Sequence, residues 1–74
     1  MPKLRPEKPT EVIRKLRQLG FEGPFGGGRH PVMRRPQTGK KISVPMHKGQ
    51  DLPIGTLRAI LRAVGISIEE WAKL

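Results

Sequence analysis

The 74-residue chain contains no cysteine and no long hydrophobic run, and each absence removes a class of protein. Without cysteine, disulfide bonds and thiolate zinc sites are excluded. No apolar stretch approaches the ~20 residues that span a bilayer, and segment 1–6 lacks the apolar core of a signal peptide. We therefore expect a soluble, cytoplasmic protein with no membrane partner.

Metal ligands and aromatic side chains are also scarce. The two histidines, His30 and His47, are not in HxxxH spacing, and the six acids are scattered along the chain. Neither a metal site nor a cofactor is expected, since Gly26–Gly28 also lacks the Gly-Lys-Ser/Thr of a phosphate loop. Two phenylalanines and one tryptophan are too few for the base-stacking platform of a single-strand-binding protein.

Positive charge is what the sequence has in excess. Fifteen Lys and Arg residues against six Asp and Glu give a net charge of +9 and a pI near 11.3. Such a field attracts polyanions, and each phosphate that is neutralised releases counterions. Charge therefore favours nucleic acid as the partner, with an acidic protein as the alternative.

Two amphipathic helices and a short third one are predicted. Residues 1–8, with two prolines and four charges, are predicted to be a flexible N-terminal tail, and residues 9–74 a single domain. Apolar residues recur at helical spacing after Pro9 and again around residues 57–64, and Gly20 and Gly65 are suited to end these helices. Ser67 begins a capping box that predicts a third helix.

Strands are predicted between the two long helices. His30–Arg35 and Lys40–Val44 have strand character, and the Pro and Gly of residues 36–39 favour a turn between them. A further short strand is expected between Glu22 and Gly28, with limits that the pattern does not define. The order predicts an α+β domain with its helices packed on one face of an antiparallel sheet.

His30 is the candidate for chemistry. If Pro31 and Met33 face the helices, His30 lies on the open side of the sheet, whereas the opposite alternation buries it. Histidine titrates near neutral pH and can transfer protons, and nearby arginines can stabilise charge on a phosphate. Candidates for phosphate binding are Arg29, Arg34 and Arg35.

Two neighbouring features have a structural and a functional interpretation. Gly27 and Gly28 fit a tight turn or bulge, and equally a site where a bulky substrate backbone approaches His30. His47, in a loop after the last strand, can bind phosphate or cap the loop through a hydrogen bond. A lone histidine is more often structural than catalytic.

Two signatures resemble those of HicA-type (YcfA-like) toxins, the mRNA-cleaving halves of toxin–antitoxin pairs. Gly27-Gly28-Arg29-His30 is similar to the family's Gly-Ser-x-His or Gly-Gly-x-His signature. The segment Val44-Pro45-Met46-His47 with Leu52, followed by Gly55–Leu61 and Gly65-Ile66-Ser67, resembles its second and longer signature. The similarity covers the chain from about Pro9 to Trp71.

The resemblance implies a fold like that of a double-stranded-RNA-binding domain, α-β-β-β-α, with a three-stranded antiparallel sheet packed on two helices. It implies that His30 is catalytic, that Gly27 and Gly28 shape the approach to it, and that a HicB-type antitoxin covers the site. Gly28 replaces the Ser of many members. Pro31, which lacks a backbone donor, suggests an edge strand or a bulge.

The sequence thus predicts a metal-independent endoribonuclease that cleaves mRNA and is neutralised by an antitoxin. One alternative is a non-catalytic RNA-binding module of the same fold, which would use shape and phosphate contacts and would not need His30. The other is a protein-interaction module whose positive surface matches an acidic partner.

Overall fold

The computed structural model describes residues 3–26, 30–46 and 49–74. Along the chain these residues form α1 (Pro9–Gln18), β1 (Glu22–Phe25), β2 (Val32–Arg35), β3 (Lys40–Ser43), α2 (Ile54–Val64) and α3 (Ile68–Ala72). The strands make one antiparallel sheet in the order β1-β2-β3. The predicted α+β fold, like that of a double-stranded-RNA-binding domain, is confirmed.

Local end signals set the limits of the helices. Gly20 adopts φ +95°, and the amides of Gly20 and Phe21 donate to the carbonyls of Arg17 and Leu16, which is the Schellman arrangement. Gly65, at φ +82°, ends α2 in the left-handed conformation. These helix ends lie where the sequence predicts them.

The short helix α3 also begins at its predicted signal. The Ser67 Oγ accepts a hydrogen bond from the Glu70 amide at 3.1 Å, so one of the amides of the first turn is capped. Trp71 in α3 is almost completely buried and contributes to the core. None of the helices formed by the described residues has the length and apolarity needed to cross a membrane.

The β2–β3 hairpin is regular and extends beyond the strands themselves. Met33 pairs with Ile42, and the Val44 amide donates to the Pro31 carbonyl at 2.9 Å. Pro31 therefore precedes the central strand, and the expectation of an edge strand is wrong. The ladder tolerates Pro31 because this residue contributes its carbonyl, not the amide hydrogen it lacks. The register irregularity lies instead in β1, between Glu22 and Phe25.

One hydrophobic core fills the space between the sheet and the helices. Its members come from all three helices, from β2 and β3, and from the segments that follow α1 and β3 or precede α2: Val12, Ile13, Leu16, Phe21, Met33, Ile42, Val44, Leu52, Leu57, Ile60, Leu61 and Trp71. No polar or charged residue among the described ones is buried with them. Burial of apolar surface is thus the main stabilising contribution to this small domain.

Contacts with the fold begin before the predicted domain boundary at residue 9, since Leu4 packs against the core and Glu7 makes several polar contacts. The Glu7 and Leu52 backbones pair through two hydrogen bonds of 3.3 and 2.7 Å. The Glu7 carboxylate accepts a hydrogen bond from the Trp71 Nε1 at 2.6 Å and pairs with the Lys15 Nζ at 2.8 Å. Glu7 therefore joins α1, α3 and the segment before α2. Flexibility of residues 1–8 stays a prediction.

We expect Glu7→Ala to lower the free energy of unfolding by about 1–3 kcal/mol, because it leaves the part-buried Trp71 indole N–H and the Lys15 ammonium without their acceptor. Glu11→Ala is the matched control. The Glu11–Arg14 ion pair is about half exposed, and its loss should cost no more than about 0.5 kcal/mol. Urea unfolding followed by circular dichroism measures both. Equal losses would contradict a structural role for Glu7.

Candidate functional site

His30 lies on the side of the sheet that the helices leave open. Exposure alternates along the strand: Pro31 and Met33 are buried against the helices, whereas His30 and Arg34 are exposed and Val32 is partly exposed. Of the two alternations that the sequence allows, this is the one that leaves His30 accessible. The opposite alternation, which would bury His30, does not occur.

The hairpin register determines what stands beside His30. Residues 32–35 pair with residues 43–40, and the bond between Val44 and Pro31 continues the same register by one step. A further step places His30 opposite Pro45. The chain then turns towards α2, so the segment before that helix approaches the same end of the hairpin.

A cleft of about 400 Å³ opens at this position. It is lined by His30 from the start of β2, by Pro45 after β3, and by residues before and within the first turn of α2, namely Gln50, Asp51, Leu52, Pro53 and Thr56. Leu52 is buried at its base and is held there by pairing with Glu7. The cleft is therefore anchored to the hydrophobic core.

The polar groups of the cleft have complementary hydrogen-bonding capacities. An ionised carboxylate such as that of Asp51 only accepts hydrogen bonds, the Thr56 hydroxyl both donates and accepts, and the Gln50 amide offers both kinds of group. Pro53, at the N-terminus of α2, supplies no side-chain cap to the first turn. An imidazole in such surroundings can exchange a proton with a bound ligand and be oriented by a neighbouring carboxylate.

The sequence did not indicate the contribution of Gln50, Asp51 and Thr56. The sequence offered one indication of what lies beside His30, namely the predicted hairpin. A turn at residues 36–39 pairs residue 35 with residue 40, and extending this register away from the turn pairs residue 30 with residue 45. Nothing local predicts that the segment before α2 folds against His30. In the fold this segment is held by contacts with residues distant in the sequence, among them the pairing of Leu52 with Glu7 and the burial of Leu52 in the core.

The two candidate arginines of β2 lie on opposite faces of the sheet. Arg34 is exposed on the face that carries His30. Arg35 lies on the helix-covered face, with its Cζ 5.8 Å from the centre of the Phe21 ring. Its Nε is buried and has no hydrogen-bond partner among the described residues. The structure therefore brings Arg34, and not Arg35, to the side of His30.

Four predicted site residues, Gly27, Gly28, Arg29 and His47, lie outside the described residues. Their roles in shaping the site and in binding RNA stay predictions. Within the described ranges, no three His, Cys, Asp or Glu side chains come together as a group able to hold a metal ion.

A comparison with models of protein families gives a match. A family model described as the HicA toxin of bacterial toxin–antitoxin systems matches residues 9–66, which include all three strands and every residue that lines the cleft. No curated protein matches the chain.

We expect Arg35→Ala to lower the free energy of unfolding by about 1–2 kcal/mol, because it removes the cation–π contact with Phe21 and the packing of the aliphatic stem. Arg34→Ala, on the exposed face of the same strand, should change it by less than about 0.5 kcal/mol. Thermal and urea unfolding of the two variants measure the difference. A larger loss for Arg34→Ala would contradict the assignment of faces.

Proposed function

The chain belongs to the HicA toxin family of bacterial toxin–antitoxin systems, and from this premise we propose that it is an endoribonuclease that cleaves mRNA without a metal ion, with His30 as its catalytic residue. The observation that carries the proposal is the position of His30: exposed, at a cleft, and on the same side of the sheet as Arg34. A histidine with only a packing role would lie on the other side, with Pro31 and Met33.

The chemistry requires two proton transfers. An attacking oxygen, from the 2′-hydroxyl of the RNA or from water, gives up its proton as its bond to phosphorus forms. The 5′-oxygen then leaves as its own bond to phosphorus breaks, and it takes up a proton. His30 performs one of these transfers, and His47, a lysine or water performs the other.

Charge develops on the phosphate during this reaction. Arg34 can stabilise that charge through its guanidinium group, which presents donors in the geometry that phosphate oxygens accept. Arg29, beside His30 in the sequence, is a second candidate. Asp51 is suited to a different task, because its carboxylate lines the same cleft as His30 and can accept a hydrogen bond from an imidazole or from a bound ligand.

The partner that we propose is a HicB-type antitoxin that covers the cleft. A toxin with a net charge of +9 offers an acidic protein a strong and long-ranged attraction. By binding over His30 the antitoxin would exclude RNA from the same surface. Because mRNA is the proposed substrate, the cytoplasm is the proposed location.

The test compares wild type with His30→Ala on a long single-stranded RNA in EDTA. We expect wild type to cleave the RNA and His30→Ala to do so about 10²–10⁴-fold more slowly, because general acid–base catalysis is lost. Since His30 is exposed, the variant should retain its circular dichroism spectrum and its affinity for RNA. Analysis of the product ends distinguishes the nucleophiles, because attack by the 2′-hydroxyl leaves a cyclic phosphate.

Two other results would contradict the proposal. Equal cleavage by both proteins would remove His30 from the mechanism. If neither protein cleaves RNA, and both bind it with an affinity that falls steeply with salt, the chain is a non-catalytic RNA-binding module. The net charge supports RNA binding in either case.

A further inference from the structure

A large aromatic side chain is exposed on the open side of the sheet. Phe25, at the end of β1, is 51% exposed, and in the described part of the chain only Ile54 is a comparably exposed large hydrophobic residue. The other two aromatic residues, Phe21 and Trp71, are buried in the core. A single exposed hydrophobic residue is common on protein surfaces, so the surroundings of the ring decide whether it marks a binding site.

The surroundings of Phe25 form a shallow groove of about 360 Å³. It is lined by Phe25 and Gly26, by Val32 and Arg34 of β2, and by Lys41 of β3. The strand register explains the grouping: Phe25 pairs with Val32, and Arg34 pairs with Lys41. An apolar row therefore lies next to a row of two cations.

The groove is matched to a polyanion that also carries flat apolar groups. Arg34 and Lys41 are exposed and suited to phosphates, while Phe25 offers an aromatic face beside them. Glu22 stands opposite Arg34 in β1 but does not line the groove. A purely apolar partner would leave two cations unpaired, and a purely acidic one would leave the ring uncovered. Single-stranded RNA supplies both phosphates and bases.

The groove lies beside the site of His30 on the same face of the sheet. Val32 lies in the groove, and His30 is two residues before it on the same side of the sheet. At the usual rise of a strand the two residues are roughly 7 Å apart, and Arg34 is roughly 13 Å from His30. A strand of RNA whose phosphodiester lies at His30 would extend over this groove within a few nucleotides.

We infer that the open face of the sheet (Phe25, Val32, Arg34 and Lys41) binds the single-stranded RNA that flanks the cleavage site, with one base stacked on the Phe25 ring and the neighbouring phosphates held by Arg34 and Lys41. The inference rests on the proposed nuclease function and assigns the substrate-binding surface. A single ring suffices for this role, because only one base near the reacting phosphate has to be held in place. A long tract of bases would need several rings.

The experiment measures binding and cleavage separately. Binding of a fluorescein-labelled single-stranded RNA decamer is followed by anisotropy in the His30→Ala background, where the probe stays intact. Phe25→Ala should weaken binding about 5- to 150-fold, which corresponds to the loss of one stacked base. In the wild-type background the same substitution should raise KM with little change in kcat.

A series at position 25 separates stacking from mere hydrophobicity. Phe25→Trp should retain or improve RNA binding, whereas Phe25→Leu, which keeps the apolar bulk but has no aromatic face, should resemble Phe25→Ala. Since the side chain is exposed, all three variants should unfold at similar urea concentrations. Equal binding by the Phe and Leu proteins would overturn the stacking role.

The cations are tested through the salt dependence of binding. Arg34→Ala and Lys41→Ala should each reduce the slope of log K against log salt by about 0.7, the value for one contact with a single-strand phosphate. Arg62→Ala is the matched control. Arg62 is exposed in α2, in the layer that covers the other side of the sheet, and lines neither the groove nor the cleft. An equal change for Arg62→Ala would overturn the assignment of the phosphates to this face.

The outcomes distinguish this inference from the proposed function. If wild type cleaves RNA and the Phe25 series leaves both Kd and KM unchanged, the nuclease stands and the inference fails. If wild type cleaves no RNA, the nuclease fails, and the anisotropy series still decides whether this face binds RNA. If the Phe25 variants bind RNA normally but lose a co-expressed antitoxin, the face is a protein interface and the inference is wrong.

Discussion

The pairing of β2 with β3 is the constraint on which the arrangement of this molecule depends. Because side chains alternate along a strand, a shift by one residue would exchange its two faces. The register in which Met33 meets Ile42 buries one face under the helices and turns His30 and Arg34 to the other. Because Met33 and Ile42 are buried in the hydrophobic core, His30, which lies outside the core, is turned towards the open face.

The same constraint divides the basic residues into two groups. Arg35 and Lys40 stand opposite each other in the β2–β3 register, on the helix-covered side of the sheet. There Arg35 lies over the Phe21 ring, and the Lys40 Nζ donates to the Ala63 carbonyl at 2.6 Å. Arg34 and Lys41, one step along the ladder, are exposed on the open face. The net charge therefore overstates the number of cations that can bind a ligand. The strand register shows which cations make contacts within the fold instead.

Features that depend on local signals could be predicted from the sequence, and features that depend on distant contacts could not. Gly20, Gly65 and Ser67 act on their own helices, so those limits were predicted correctly. The limits of β1 were not, because a strand containing Gly23 and Pro24 has little intrinsic preference and is specified by its pairing with β2. The cleft was missed for the same reason, since Asp51 and Thr56 approach His30 only in the folded chain. The catalytic role of His30 stays a prediction.

The long-range contacts of Glu7 have a consequence for the order in which the molecule folds. Glu7 binds Leu52, in the wall of the cleft, and Trp71, which is 64 positions away in the chain. A contact of such sequence separation forms only after all the residues from Glu7 to Trp71 have been synthesised, and closing the loop between them carries an entropic cost that local contacts do not. The helices and the hairpin can form earlier from neighbouring residues. We therefore expect the wall beside His30 to form after the helices and the hairpin.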